Sequence, residues 1–285
     1  MEYILNNVKD FNLDHIFDCG QCFRWEKQAD GSYIGPALGK IIKISTEGVA
    51  GDTTVILDNC SQEDYEELWE DYLDMKRDYT SVKDILTDGD EVLKKAADYG
   101  YGIRILKQDF WETVVSFIIS QNNNIPRIKG CIESISRSHG KLIGEYGGRE
   151  YYSIPTPEVM AGLTIEDLSE AKLGYRARYL IETAKEMLKE GGPEAVRQRL
   201  VESKTPIEDL QAFTGIGPKV AACISLFGLA RMDAFPIDVW MRRVMNQLYG
   251  IDEKDVKTMK TYAANHFGEH GGIAQQYLFY YIRGL

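Results

Sequence analysis

Hydrophobic and polar positions follow two different periods along this chain of 285 residues. Up to residue 57, β-branched and aromatic residues alternate with polar ones in short segments between glycine-containing turns, a pattern typical of antiparallel strands. From residue 110 onward, apolar positions recur with the period of an α-helix. We therefore predict an α+β protein, with an antiparallel sheet domain and flanking helices over residues 1–105 and a mainly helical domain over residues 106–285.

The same pattern gives the bounds of the predicted elements. Strands are predicted at 22–25, 32–34, 40–44 and 53–57. Helices are predicted at 63–78, 82–99, 111–121, 127–139, 157–163, 165–172, 176–189, 193–202, 206–213, 218–229, 239–249, 253–267 and 272–282. Since no apolar run approaches the ~18 residues that cross a bilayer, and residues 1–10 lack a secretion signal, we expect a cytoplasmic protein with no membrane partner.

The net charge of −11 argues at first against a nucleic-acid partner. However, residues 1–100 hold 22 acidic and 10 basic residues, whereas residues 101–285 hold 22 acidic and 23 basic ones. The acidic excess is concentrated at 63–78, where we interpret it as a solvated helix face. The helical part is therefore free to carry a local basic surface.

Five cysteines make an odd count, which favours reduced thiols over a disulfide framework. Cys19 and Cys22 form a C-x-x-C pair, but a zinc site would need a second close pair of ligands. We interpret them as ordinary thiols in a turn and expect no metal site.

The most informative segment is 207–229, in which a predicted helix is followed by a Gly-Ile-Gly turn and a second helix that begins at Pro218. Gly215 and Gly217 allow positive φ and close approach of the backbone to another molecule. The N–H groups at the start of the second helix favour an anion. This is the pattern of a helix-hairpin-helix, which binds a DNA phosphate without reading sequence, although an ordinary helical hairpin with a glycine turn has the same spacing.

Two residues beside this hairpin could carry chemistry. Lys219 lies in the first helical turn, where the helix dipole disfavours a cation; this suits an amine that must lose its proton to act as a nucleophile. Asp238 precedes the predicted helix 239–249, at an N-cap position where aspartate is common. It is either a simple cap or a carboxylate held beside Lys219 for proton transfer or for stabilising a cation.

GIGPKVAAC, followed nineteen residues after Lys219 by the aspartate of FPID, resembles the helix-hairpin-helix, Gly/Pro-Asp superfamily of base-excision DNA glycosylases. Four further motifs resemble its 8-oxoguanine DNA glycosylase/lyase branch and occur in that family's order. They are GQCFRW from Gly20, SQNNNIPR from Ser120, LGYRARY from Leu173 and AQQYLF from Ala274. The resemblance implies a TATA-binding-protein-like antiparallel sheet domain followed by a helical bundle. Because no cysteine follows Cys223, the iron–sulfur branch is disfavoured, and we expect no cofactor.

The resemblance also implies residue roles. Lys219 would attack the deoxyribose C1′, expel the base and form a Schiff base whose elimination nicks the strand, while Asp238 would stabilise the oxocarbenium charge. The Gly20 carbonyl would accept from the N7–H of 8-oxoguanine, Cys223 and Phe279 would sandwich the flipped base, and Gln275 would contact its Watson–Crick edge. The resemblance also implies contacts with DNA. Tyr175 would insert as a wedge into the vacated stack, and Asn122, Arg127 and Arg176 would hydrogen-bond the unpaired cytosine. Gly215 and Gly217 would contact the DNA backbone.

Three positions depart from the eukaryotic pattern. Trp240 stands where histidine is usual, Cys22 replaces Ser or Thr beside the lesion-reading turn, and Pro126 stiffens the backbone before Arg127. Each departure bears on a DNA or base contact that the resemblance implies.

Two alternatives compete with the leading hypothesis. A glycosylase for another damaged base, such as an alkylated purine, is disfavoured because the monofunctional alkyl-base enzymes of this superfamily lack the lysine. A non-enzymatic DNA-binding module would have no use for Lys219 and Asp238 beside an aromatic pocket. The sequence therefore predicts a monomeric base-excision repair enzyme that acts on double-stranded DNA containing 8-oxoguanine opposite cytosine, and uses neither metal nor cofactor.

Overall fold

The structure, a computed structural model, describes residues 1–49 and 51–284. Its first part is a five-stranded antiparallel sheet. The strands are β1 (Glu2–Val8), β2 (Glu26–Lys27), β3 (Tyr33–Ala37), β4 (Lys40–Val49) and β5 (Asp52–Asp58). Their order is β1-β5-β4-β3-β2, so that the first and last strands of this sheet along the chain, β1 and β5, pair with each other, with Ile4 opposite Ile56.

Helices make up most of the remaining chain. They are α1 (Leu13–Phe17), α2 (Gln62–Asp64), α3 (Glu70–Tyr72), α4 (Tyr79–Thr87), α5 (Glu91–Tyr99), α6 (Phe110–Ser120), α7 (Ile125–His139), α8 (Pro157–Gly162), α9 (Arg176–Lys189), α10 (Pro193–Glu202), α11 (Pro206–Leu210), α12 (Pro218–Gly228), α13 (Val239–Tyr249), α14 (Val256–His266) and α15 (Gly271–Gly284). A π-helical turn, Tyr65–Trp69, joins α2 to α3, and 3₁₀ turns occupy Ser169–Ala171 and Gly268–His270. Within the described part of the chain, every helix is too short or too polar to cross a bilayer.

Two apolar cores hold these elements together. The smaller one lies on one face of the sheet and includes Phe17, Trp25 and Trp69. The larger one fills the helical part, and α4 and α5, which the sequence pattern assigned to the sheet domain, contribute to it. An α+β fold with an N-terminal antiparallel sheet and a helical remainder is confirmed, while a domain boundary at residue 105 stays a prediction.

The predicted strand 22–25 is wrong, because this segment lies between the two cores and buries side chains in both. Phe23 packs in the helical core and Trp25 in the sheet core. The side chain of the buried Gln21 donates to the carbonyls of Ile16 and Arg104 and accepts from the Leu106 amide. Side-chain hydrogen bonds thus replace a strand ladder where the two cores meet.

Other elements also differ from their predictions. The predicted helix 63–78 contains a π-helical turn and ends at Tyr72. The predicted helix 82–99 is divided into α4 and α5 because Gly89 has φ +73° and the Asp90 side chain caps α5. The predicted helix 165–172 is reduced to turns and a 3₁₀ segment. A hairpin of β6 (Leu142–Tyr146) and β7 (Arg149–Tyr152) was not predicted; its Tyr151 packs on Ile34 and Ile41, which ties the helical part to the sheet.

Candidate active site

The turn between α11 and α12 is shaped by two glycines in different conformations. Gly215 has φ +78°, and a Cβ there would lie 2.5 Å from Cγ of Tyr179, so that conformation and packing both demand glycine. Gly217 has φ −86° and ψ 177°, and a Cβ there would meet nothing within 4 Å. No described side chain caps α12, so the amides of Lys219 and Val220 remain available to an anion.

Neighbouring elements hold this turn in place. The Glu186 carboxylate on α9 accepts from the Thr214 amide (2.7 Å) and from the Thr214 hydroxyl (2.6 Å). The Gln121 side-chain amide donates to the Gly215 carbonyl (3.0 Å). The turn is therefore positioned by α9 and by the loop that follows α6.

The two glycines give a matched test of these conformations. Gly215→Ala is expected to lower the free energy of unfolding by more than the ~1–2 kcal/mol of left-handed backbone strain, since it also clashes with Tyr179. Gly217→Ala is expected to leave stability unchanged or raise it slightly, because its conformation is open to any residue. Urea unfolding of both variants checks this, and equal losses of stability would contradict the assigned difference.

Lys219 lies in the first turn of α12 and is half-buried. Its Nζ is 5.2 Å from the ring centre of Phe117, which stacks on Phe227 with a centroid distance of 5.4 Å. Cys223, one turn along the same face, is buried; burial raises the pKa of its thiol, while the Lys219 ammonium acts in the opposite direction. The amine thus lies over an aromatic wall and beside a thiol that stays protonated at neutral pH.

Asp238 serves as the N-cap of α13. Its Oδ1 accepts from the Met241 amide at 2.8 Å, which fixes the direction of the carboxylate. Among the described residues no donor bonds its Oδ2. Asp238 and Lys219 line one cavity of about 550 Å³, and Asp238 also contributes to the field at Cys223. Asp238 therefore caps α13 and lines the same cavity as Lys219 at the same time. The two roles predicted for Asp238 are compatible.

Asn122 and Tyr175 also line this cavity. Asn122 has φ +47°, a left-handed conformation that asparagine tolerates better than most residues. Tyr175 is 48% exposed and packs edge-on against Tyr179. The structure thus places an exposed aromatic side chain and an exposed amide beside the lysine and the carboxylate.

The two predicted base-reading arginines lie side by side. Arg127 is exposed, and its Nη2 donates to the Lys172 carbonyl at 3.1 Å. Arg176 is only 4% exposed, and four of its five N–H groups donate to the carbonyls of Gln121, Asn122 and Leu173. Arg176 therefore holds the loop that carries Asn122, and a contact with cytosine would require it to exchange these bonds.

The predicted base-contacting residues Gly20 and Phe279 are in contact. Gly20 has φ +84°, and a Cβ there would lie 3.3 Å from Cε1 of Phe279 and 3.4 Å from Nη1 of Arg283. Gln275, one helical turn before Phe279 on α15, is buried, and its Oε1 accepts from the side-chain Nε2 of Gln276 at 2.8 Å. The GQCFRW turn and the C-terminal helix therefore meet, while the base contacts predicted for these residues stay predictions.

Sequence reasoning missed three residues in this region. Phe117 lies in a helix that is buried almost all round, so no pattern separates it from ordinary core residues. Gln121 precedes the Asn-Asn-Asn run and could have been singled out by that position. Arg283 lies one turn after Phe279, with its guanidinium 5.3 Å from that ring, a spacing that the sequence contains.

Known proteins are similar to this chain in sequence and in fold, over different shares of their own length. The 8-oxoguanine glycosylase/lyase of Clostridium acetobutylicum, in a complex with duplex DNA containing cytosine opposite 8-oxoguanine, is 40% identical, with a TM-score of 0.91 over 99% of this chain and 95% of that one. The N-glycosylase/DNA lyase OGG1 of Arabidopsis thaliana is 30% identical over 95% of this chain and 77% of that protein. The N-glycosylase/DNA lyase of Saccharomyces cerevisiae is 36% identical over 56% of this chain, but the match spans only 46% of the yeast protein.

Two family models account for the chain from residue 3 to residue 267. Residues 115–267 match the HhH-GPD superfamily of base excision DNA repair proteins, which agrees with the hairpin, its lysine and the capping aspartate. The fold and the site thus define a helix-hairpin-helix DNA glycosylase. Residues 3–114 match the N-terminal domain of 8-oxoguanine DNA glycosylase. The chain belongs to the 8-oxoguanine DNA glycosylase/lyase family, and the predicted family and enzyme class are confirmed.

Proposed function

We propose that this enzyme excises 8-oxoguanine paired with cytosine from duplex DNA and then cleaves the strand at the resulting abasic site. The observation that carries the proposal is the shared cavity of Lys219 and Asp238, placed directly beside the hairpin turn at Gly217. The amides at that turn suit a phosphate, which would bring the strand to the amine. The solved complex of the related Clostridium enzyme with an 8-oxoguanine:cytosine duplex supports this choice of substrate.

The chemistry assigned to Lys219 begins with its neutral amine. Nζ forms a bond to C1′ of the damaged nucleotide, the C1′–N9 bond breaks, and its electron pair leaves with the base, which takes up a proton. Opening of the sugar ring at O4′ gives a protonated Schiff base. Loss of a proton from C2′ then breaks the C3′–O bond, so that the strand is cut on the 3′ side and a phosphate end is released.

Asp238 acts in this scheme through its charge. As the C1′–N9 bond lengthens, positive charge develops on C1′ and O4′, and a carboxylate already fixed by its cap bond stabilises that charge without reorganising. Phe117 and Phe227 form an apolar wall next to the amine. Because water competes poorly beside such a wall, the attraction between the Asp238 carboxylate and the positive charge on the sugar is strengthened.

We assign the base pocket to Gly20, Cys223, Gln275 and Phe279. The Gly20–Phe279 contact and the position of Cys223 beside Lys219 support this assignment. The protonated Cys223 thiol offers a polarisable face to a flipped base, while Gln275 presents both donor and acceptor groups to a base edge. A base that packs against Cys223 would lie close to the Lys219 amine.

A direct assay tests the proposed function. The protein is incubated with a duplex that carries a single 8-oxoguanine opposite cytosine, and free base and strand breaks are measured separately. Release of 8-oxoguanine together with a 3′-side nick is expected. Release of 3-methyladenine from a matched alkylated duplex, with 8-oxoguanine left intact, would instead favour the alkyl-base alternative.

We further propose that Asn122, Arg127 and Arg176 read the base opposite the lesion, with Tyr175 filling the vacated stack. Cytosine offers two adjacent acceptors to arginine donors, whereas adenine presents an amino donor. Pro126 falls in the first turn of α7, where proline is favoured, and Asn124 caps that helix, which supports this arrangement. Because Arg176 now holds the loop at Asn122, binding of the duplex is expected to rearrange that loop.

Arg127→Ala is expected to reduce the preference for cytosine over adenine by a factor of about 5 to 150, the equivalent of ~1–3 kcal/mol per base contact. The loss should fall mainly on excision opposite cytosine, since an arginine that faces adenine already lacks its acceptors. Single-turnover excision on duplexes that differ only in the opposite base measures it. Arg137→Ala, an exposed arginine on the same helix, is the control. Equal wild-type rates opposite cytosine and adenine would contradict the assignment.

A further inference from the structure

Two adjacent glutamines on α15 are buried, although glutamine is mostly found exposed. Gln275 is 4% exposed and Gln276 is 3% exposed. The buried residues around them on the helix, Ile273, Ala274 and Leu278, are apolar. Because a buried amide needs hydrogen bonds to offset the loss of water, the partners of these two side chains are informative.

One hydrogen bond joins the two side chains and fixes how each amide is turned. Nε2 of Gln276 donates to Oε1 of Gln275 at 2.8 Å. Nε2 of Gln275 has no acceptor among the described residues, but it is not sealed from solvent, whereas Oε1 of Gln276 is sealed and has no donor there. The donor end of the Gln275 amide is therefore the end that an incoming group can reach.

The same bond opposes a half-turn of the Gln275 amide. After such a turn, Nε2 of Gln275 would face Nε2 of Gln276, so that two donors would meet without an acceptor between them. Gln276 could restore a bond only by turning as well, which would place its NH₂ group, with two donors to satisfy, where a single carbonyl oxygen now lies. Because buried N–H groups without a partner are tolerated less well than buried carbonyls, the arrangement seen here is favoured.

The direction of the Gln275 amide decides which base edge it can match. The Watson–Crick edge of guanine presents O6 as an acceptor next to N1–H as a donor, whereas adenine presents an amino donor next to N1 as an acceptor. With Nε2 outward, Gln275 gives a donor to O6, and the second lone pair of its Oε1 can accept from N1–H. Turned round, the same amide would match adenine.

This edge is the part of the lesion that separates two oxidised purines. Oxidation at C8 places a carbonyl at C8 and a hydrogen on N7 in both guanine and adenine. The Gly20 carbonyl, to which we assign the contact with N7–H, would therefore accept from either base. A pocket that takes the guanine lesion alone has to read the Watson–Crick edge as well.

We propose that Gln276 is a positioning residue that holds the Gln275 amide with Nε2 toward the base, and thereby makes the pocket select oxidised guanine over oxidised adenine. Gln276 acts through Gln275 and does not itself touch the base. Its buried Oε1, which has no donor among the described residues, lowers stability and is retained because the Nε2 of the same amide is needed. The inference rests on the proposed function, because it requires a flipped 8-oxoguanine beside Gln275.

Excision rates on two lesions test this selection. Duplexes carry 8-oxoguanine or 8-oxoadenine opposite cytosine, and single-turnover rates are measured for the wild type and for Gln276→Met, which keeps the length of the side chain and removes its donor. The ratio of the rates, 8-oxoguanine over 8-oxoadenine, is expected to fall about tenfold in Gln276→Met, the effect of about one neutral hydrogen bond. Stability in urea should stay equal or rise, because a buried acceptor without a described donor is removed.

Binding measures the same selection without chemistry. In a Lys219→Gln background, affinities for the two duplexes are compared by anisotropy of labelled DNA, and Gln276→Met should again reduce the preference about tenfold. Ser136→Ala on α7 is the matched control, because it also removes a buried oxygen without a described partner, and it should leave both ratios unchanged. In a Gln275→Met background, Gln276→Met should have no further effect on either ratio, since it acts through Gln275.

The outcomes distinguish this inference from the function on which it rests. If the wild type releases 8-oxoguanine but Gln276→Met keeps its ratios within twofold of the wild type, or loses action on both lesions equally, the positioning role is overturned and the proposed function stands. A further fall of the ratios in the Gln275→Met background would also overturn it, because Gln276 would then contact the base directly. A wild type that leaves 8-oxoguanine intact would overturn both.

Discussion

Lys219→Gln is expected to abolish three measurable events together: release of 8-oxoguanine, strand cleavage, and covalent trapping of the protein on DNA by borohydride. Borohydride reduces a Schiff base to a stable amine, so it captures the intermediate only when an amine of the protein has attacked C1′. An amide nitrogen is not nucleophilic, so the Schiff base cannot form at position 219. We expect excision to fall by roughly 10³-fold or more, the equivalent of ~4 kcal/mol of transition-state stabilisation.

Two controls make this result specific to the nucleophile. Glutamine keeps much of the length of the lysine stem, and the amine's contact with Phe117 contributes only ~0.5–1 kcal/mol, so the thermal unfolding temperature should shift little. Lys260→Gln removes an exposed lysine that lines a neighbouring cavity shared with Lys219, and should leave trapping unchanged. A Lys219→Gln protein that still forms the adduct at wild-type yield would show that another amine attacks.

The fold could be predicted in outline because periodicity reports how a segment is buried. The helices from α6 to α15 have one apolar face or are apolar throughout, and most start within two or three residues of their predicted positions. The strand prediction failed at 22–25, because this segment lies between two cores and its side chains are buried in both, so their pattern does not report a strand. It also missed β6 and β7, whose pairing depends on a contact with the distant Ile41 rather than on their own pattern.

The candidate site was predictable to the extent that its residues lie in short motifs. Gly215, Lys219 and Asp238 come from two neighbouring segments, and the structure places them around one turn and one cavity. The internal bonding of Arg176 was not predictable, because nothing in LGYRARY indicates that its guanidinium turns toward the carbonyls of residues 121 and 122. Such bonds between segments fifty residues apart arise only when the helices pack.

Asp238 also shows why a common structural role does not exclude a catalytic one. An aspartate at an N-cap needs no further explanation, and its cap bond is present. The same bond limits the carboxylate to one direction, which a preorganised electrostatic group requires. The two roles can be separated only by a substitution that keeps the cap and removes the charge.

Asp238→Asn is that substitution. Asparagine is as good an N-cap as aspartate, so the bond to the Met241 amide and the free energy of unfolding should be retained. The negative charge that stabilises the oxocarbenium-like transition state is lost, and single-turnover excision is expected to slow by about 10²–10³-fold. Affinity for damaged DNA should change little, because ground-state contacts survive.

The matched control is Asp255→Asn. Asp255 caps the next helix, α14, through a comparable bond from its Oδ1 to the Thr258 amide at 3.0 Å. If Asp238 acts through its charge at C1′, excision should slow in Asp238→Asn alone, while both variants unfold at nearly the wild-type temperature. Two results would instead assign Asp238 a purely structural role: equal losses of binding and rate in Asp238→Asn, or a similar slowing in Asp255→Asn. Another group in the cavity would then have to stabilise the developing positive charge.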